Sequence, residues 1–254
     1  MKDIITGIGF PKQTEVGKTL FKKLFYEGAD LSKQEKELLM NQIDKVVVTH
    51  NLHTQNINIR QYEDTIREYH AIQVIEVRLN AKDKVKKIAE MIIEAIPQPV
   101  ILQVKYGQEY MLVLGLRIFD EKDKEKNKIE EWIYSKWIDI DNPTEKENTF
   151  LQEINIKNLS YSHFYRLYMD IADQVNRYNA SLLTENYVEA IDSQEVKNLY
   201  SQIEACDTDI QRLRVKLKKE GQFNKKVELN VQIKRQQQIR EELIQALNGG
   251  TIHE

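Results

Sequence analysis

Between residues 196 and 217, Val196, Leu199, Ile203, Cys206, Ile210, Leu213 and Leu217 recur at intervals of three and four without a slip. That spacing is the a/d seam of a helix that packs lengthwise against another helix. The pattern breaks at Glu220-Gly221-Gln222-Phe223-Asn224 and resumes with Leu229, Ile233, Leu243 and Leu247 on one side. It predicts a helical hairpin with arms of about 20 residues, each ~30 Å long at 1.5 Å per residue. In the turn, Gly221 is expected to take a positive φ. Phe223 is expected to fold back over the seam and Asn224 to cap the second arm, leaving Lys225 and Lys226 outward at the tip. The seam could also serve self-association, pairing Val196–Leu217 with a second copy and making a homo-oligomer.

The charge is polarised along the same stretch. Residues 211–240 hold ten Lys/Arg and two Glu, a local charge of +8, against 27 basic and 38 acidic residues elsewhere, −11. A basic arm on an acidic body is expected to meet phosphates or an acidic protein face. Its candidate binding residues are Arg212, Arg214, Lys216, Lys218, Lys219, Lys225 and Lys226. The common alternative is a solvated coiled-coil surface. Cys206 is the single cysteine, so no disulfide can form within the chain, and a lone thiol on a seam suits a reducing cytoplasm. No apolar run approaches the ~18 residues that span a bilayer. The opening residues lack a signal-peptide pattern.

Upstream, the pattern is mixed. Ser32-x-x-Glu35 is a capping box and opens a predicted helix to about His50, with Leu38, Leu39, Ile43, Val46 and Val47 inward. Residues 51–58 read as a polar loop. Residues 70–79 alternate, with Ile72, Val74 and Glu76 on one face and Gln73, Ile75, Val77 and Leu79 on the other, as a central strand does. Helical spacing follows from Ala81 to Ile96 and stops at Pro97 and Pro99. Residues 100–106 and 110–119 form a hairpin about Gly107-Gln108. Residues 120–128 read as a charged loop, 131–140 as a further strand, and 141–149 as another loop. A helix is predicted from Tyr161 to about Asn179. The order indicates an α+β fold: a four-stranded, mostly antiparallel sheet with helices on one face, over 1–185, followed by the antiparallel helical hairpin, a coiled coil, over 186–254.

No complete catalytic constellation is visible. Gly17-Lys18-Thr19 ends like a P-loop, but Lys12 stands where its first glycine belongs and no strand precedes it. His50, His53, His70 and His163 lack the convergent spacing of a metal site, so no metal or cofactor is expected. Asp64 with Glu76-Val77-Arg78 resembles the Asp…acid-x-Lys arrangement of Mg²⁺-dependent nucleases. Its third position is Arg, which cannot be tuned as Lys can. Glu76 has a structural alternative, a pair with Lys105 or Arg117 on a neighbouring strand. Tyr161, Phe164, Tyr165 and Tyr168 form a helical stripe that reads as core.

Two segments carry a family likeness. Pro11-Lys12-Gln13-Thr14-Glu15-Val16, with Lys22-Lys23-Leu24-Phe25-Tyr26-Glu27, resembles the opening of the bacterial family called domain of unknown function 4391. Gln222-Phe223-Asn224-Lys225-Lys226-Val227-Glu228-Leu229-Asn230 resembles its closing segment. Ile57-Asn58-Ile59 and Ala95-Ile96-Pro97-Gln98-Pro99 fit between them, with Arg60 standing where a proline is expected. The resemblance implies neighbours of the SNF2-type helicase and DNA methyltransferase classes. It therefore implies a small subunit of a restriction-like or antiviral defence complex. With the charge pattern, the expectation is a non-catalytic accessory subunit whose body binds a helicase-type partner and whose basic arm contacts that partner or DNA. The alternative is the Mg²⁺-dependent nuclease using Asp64 and Glu76.

Overall fold

The computed structural model describes residues 3–26, 31–119 and 127–249. They form an α+β protein that divides into two compact units, Met1–Val175 and Asn176–Glu254. The loop-based boundary expected at 185/186 lies ten residues beyond that division.

The first unit runs α1 (Ile4–Ile8), β1 (Glu15–Leu20), α2 (Lys33–Gln42), β2 (Ile43–His53), α3 (Thr54–Ile57), β3 (Tyr62–Glu63), β4 (Glu68–Tyr69) and β5 (Ala71–Leu79). It continues through α4 (Val85–Glu94), β6 (Val100–Tyr106), β7 (Glu109–Phe119), β8 (Asn127–Tyr134), β9 (Ile138–Asp139), α5 (Glu145–Glu153) and the first part of α6 (Phe164–Ser181), whose residues after Val175 belong to the second unit. The main sheet has seven strands rather than four, in the order β1-β2-β5-β6-β7-β8 with β9 beside β7. All its neighbours are antiparallel except β5 and β6, which run parallel across the α4 crossover.

Of the three further strands, β1 lies upstream of the first predicted helix, β9 is the end of the strand expected at 131–140, and β2 replaces the second half of the helix expected from the Ser32 cap to His50. The capping box at Ser32 and Glu35 forms, but the helix ends at Gln42 and Ile43 turns extended. Val46, Val47, Val48 and Thr49 are β-branched and stiff at χ1, and favour a strand. Val46, Val48 and Leu52 are buried, at alternating positions that an apolar count at helical spacing does not separate from a helix face. β1 pairs along β2 as an edge with a bulge between Glu15 and Lys18, where Gly17 takes φ 65°. The polar loop expected at 141–149 contains the start of α5, capped by a second box of Thr144 and Glu147. Of the charged loop expected at 120–128, residues 120–126 lie outside the described residues and Asn127 and Lys128 open β8.

Helices cover both faces of the sheet, not one. Ile75, Val77 and Leu79 of β5 and Leu102 and Val104 of β6 meet Ile88, Ile92 and Ile93 of α4 and Leu39 of α2 in one core. Each such side chain contributes about 1.5–3 kcal/mol on burial. The opposite face of the same strands carries Glu76 and Gln103, paired in register. There the Ile5 N–H of α1 donates to Gln103 Oε1 at 3.0 Å. Tyr168 of α6 is fully buried. Its hydroxyl accepts from Gly115 N at 3.0 Å and donates to Val100 O at 2.8 Å.

The second unit contains α7 (Ser193–Lys219) and α8 (Phe223–Leu247), of 27 and 25 residues. They pack antiparallel. Val196, Leu199, Ile203 and Cys206 meet Leu243, Ala246 and Leu247 in a basal cluster, and Ile210 and Leu213 meet Ile233 in an outer one. The two clusters are separated by a polar crossing, Arg240 Nε to Asp207 Oδ1 at 2.7 Å. Such a pin adds under about 1 kcal/mol when partly exposed, but it sets the register of the arms. The seam is thus occupied within the chain by α8. Arg177 holds the linker before α7, donating to the carbonyls of Val188, Glu189 and Ile191.

Candidate nucleic-acid interface

The basic arm is the outer half of the hairpin. From Ile210 to Lys219, α7 carries no acid, and α8 carries only Glu228 between its start and Glu241. Arg212 pairs with Asp209 at 3.0 Å. Arg214, Lys216, Lys218, Lys219, Lys225 and Lys226 are exposed, and none makes an ion pair among the described residues.

The two sides of the tip differ in what the helix backbone supplies. Lys216, Lys218 and Lys219 lie in the last turn of α7, where the helix dipole favours cations. Lys225 and Lys226 lie in the first turn of α8, where it disfavours them. That turn has no acidic residue and no side-chain cap. The Glu220 carboxylate answers part of this field. The backbone amide of Gln222 holds its pKa below the usual carboxylate range, with the Gly221 amide, Lys225 and Lys226 adding to the effect.

The turn departs from the expectation in three ways. Gly221 is not left-handed, because Glu220 ends α7 in an extended conformation. Gln222, not Asn224, stands at the N-cap. Phe223 does not cover the seam and is 78% exposed. The last point follows from the second: α8 begins at Phe223, and 100° per residue carries that ring roughly 120° round the helix from Leu229. Val227 and Val231 follow at four-residue spacing on the same outer side, 46% and 61% exposed. Only the four-residue interval in the sequence could have shown this second stripe.

The other sequence candidates do not converge. Asp64 sits in the β3–β4 turn, where Oδ1 accepts from the amides of Ile66 and Arg67 and Oδ2 from the Tyr62 hydroxyl. Glu76 pairs with Arg78 of its own strand at 2.7 Å, not with Lys105 or Arg117, and accepts from Gln103 Nε2 at 2.9 Å. Arg117 is instead buried under the end of α4, donating to the carbonyls of Ile93 and, at 2.5 Å, Ile96. His50 is on β2 against Phe10, His53 bonds Gln55, His70 pairs with Glu63 and Glu68, and His163 stacks on Tyr62. Among the described residues, no group of three His, Cys, Asp or Glu is placed to hold a metal ion. Gly17-Lys18-Thr19 lies on the edge strand β1. Phe164 and Tyr168 are core, and burial raises the Tyr168 and Cys206 pKa values.

Glu76 and Gln103 lie at the floor of a cleft of about 470 Å³, walled by Asp3, Glu15, Thr49 and His50. Burial lowers the His50 pKa, opposed by Glu15 and Asp3. The sequence signal for this cleft is a single polar residue inside each of two apolar runs, Glu76 in Val74–Val77 and Gln103 in Val100–Val104.

Comparison with known families matches residues 8–239 to the family described as Domain of unknown function (DUF4391), and the chain belongs to it. No curated protein and no solved structure matches the chain.

Proposed function

We propose that this member of the DUF4391 family is a non-catalytic accessory subunit whose helical arm grips nucleic-acid phosphates. The observation that carries the reading is the pair Lys225 and Lys226 in an uncapped first helical turn. Cations there oppose the helix dipole, so local helix stability does not account for them. A polyanion held at the tip does, and it also accounts for the four unpaired cations opposite, Arg214, Lys216, Lys218 and Lys219. The body would bind a larger helicase-type protein, with a DNA methyltransferase in the same restriction-like or antiviral defence complex. That partner class rests on the family resemblance alone. A cytoplasmic location suits the single thiol. Among the described residues, no helix is long and apolar enough to cross a membrane.

Charge reversal tests the reading. Fluorescence anisotropy with a labelled 30-base-pair duplex should show binding by the full chain. Lys216→Glu with Lys218→Glu, and Lys225→Glu with Lys226→Glu, should each weaken it at least tenfold. Unchanged affinity in both variants would reject phosphate as the target of the arm.

A nuclease reading is favoured by one observation, the buried Glu76 at the floor of an open cleft. It predicts Mg²⁺-dependent DNA cleavage that Glu76→Ala abolishes without changing the far-ultraviolet circular dichroism. A protein that cleaves nothing, alone or with its co-purified partners, removes it.

A further inference from the structure

We infer that the outer side of α8 is a stacking track for single-stranded nucleic acid, which makes unpaired strand rather than duplex the preferred ligand of the arm. The inference rests on the phosphate-gripping reading above and adds the bases to it. Phe223, Val227 and Val231 are exposed at four-residue intervals on the side of α8 turned away from the seam. Leaving a phenylalanine ring in water forgoes the burial that stabilises a fold. The seam of the same helix offers apolar positions that bury such groups, as at Ile233 and Leu243. The ring stands two residues from Lys225 and three from Lys226, and Lys218 and Lys219 precede the same turn. The acids nearby are Glu220, whose carboxylate accepts from the Gln222 amide at 2.8 Å, and Glu228.

An aromatic face beside unpaired cations fits a ligand that presents a π-face beside a phosphate. Duplex DNA presents its phosphates but keeps its base faces stacked inside. A single strand offers both, in a linear repeat, and base–aromatic stacking contributes about 1–3 kcal/mol per base. The exposed apolar side chains form a line along one helix rather than a patch. A line matches a strand better than the roughly 800 Å² per partner of a stable protein interface.

The test compares labelled oligo-dT of 30 nucleotides with a 30-base-pair duplex, using the full chain and its Phe223→Ala and Phe223→Trp variants. Oligo-dT should bind more tightly than the duplex. Phe223→Ala should weaken oligo-dT binding about 5- to 150-fold, the stacking range above, and duplex binding less than twofold. Phe223→Trp should restore it. If both ligands bind and Phe223→Ala changes neither, the track is overturned while the phosphate grip stands. If neither binds, both readings fail. Oligo-dT binding that polyglutamate displaces as well as unlabelled oligo-dT would assign the tip to an acidic protein face and overturn the inference. So would Phe223-dependent binding to phosphatidylserine vesicles without binding to oligo-dT.

Discussion

His50 shows how a single side chain changes meaning with its element. At the end of a helix, its ring would bond terminal carbonyls. On β2 it lies against Phe10 at 5.4 Å between ring centroids, and its Nδ1 is buried with no hydrogen-bond partner among the described residues. Burial lowers its pKa from the ordinary 6.5. The folded chain therefore binds this proton less readily than the unfolded chain. The stability linked to His50 is present above pH 6.5 and is lost as pH falls from there through the folded pKa. Urea midpoints at pH 7.5 and 5.5 should differ less in His50→Gln than in the wild type. An equal difference in both would show that His50 carries none of the dependence. Arg117 is the second residue with an outsized role. Its guanidinium is buried, its pKa is lowered by desolvation, and it caps the carbonyls of Ile93 and Ile96. Arg117→Met leaves those carbonyls unpaired, and chemical denaturation should register a loss of about 2–4 kcal/mol.

At the scale of elements, α2 and α5 are short helices set by their caps. Each has a reciprocal box, Ser32 with Glu35 and Thr144 with Glu147. Thr144→Ala should cost about 1 kcal/mol in a thermal or urea melt. Glu35 does more than cap: Lys87 of α4 pairs with it at 2.8 Å. Lys87 first, then the Ser32 backbone and hydroxyl, hold its pKa at about 2. That link is complete above the ordinary carboxylate range and is lost as pH falls towards 2. The hairpin is graded along its length. Its base buries ten residues in one cluster, and its outer cluster buries only Ile210, Leu213 and Ile233. Fewer buried contacts mean cheaper local opening. Backbone amides from 214 to 219 and 226 to 230 should exchange with deuterium faster than those of 200–206 and 240–247. Uniform protection along both helices would contradict the gradient.

For the whole molecule, the polarised charge is the property that reaches furthest. A strongly basic arm on an otherwise acidic chain draws polyanions to the arm and discourages them elsewhere. If Arg214, Lys216, Lys218, Lys219, Lys225 and Lys226 all meet phosphates, the log–log salt slope on duplex DNA approaches about −5, at roughly −0.9 per contact. A flat salt dependence would place the arm against something other than nucleic acid.

The heptad seam, the basic tract, the β5 alternation and the proline-stopped end of α4 were legible from the residues alone. Each is a local repeat, and its meaning does not depend on what lies across the molecule. The strand β2 was not legible, because Ile43, Val46 and Val47 fit helical spacing while Val46, Val48 and Leu52 fit extended spacing, and pairing with β1 and β5 decides between them. The same holds for Glu76. The sequence offered Lys105 or Arg117 as its partners, but it pairs with Arg78 on its own strand and with Gln103, 27 residues away and adjacent only through the parallel register of β5 and β6. At the hairpin tip, two residues of difference in where α8 starts turned Phe223 from the seam to the solvent. The periodicity of the chain determined which helices pair. The start of α8, set by the backbone at Gln222 rather than by an asparagine cap, decided which face of that helix was left open.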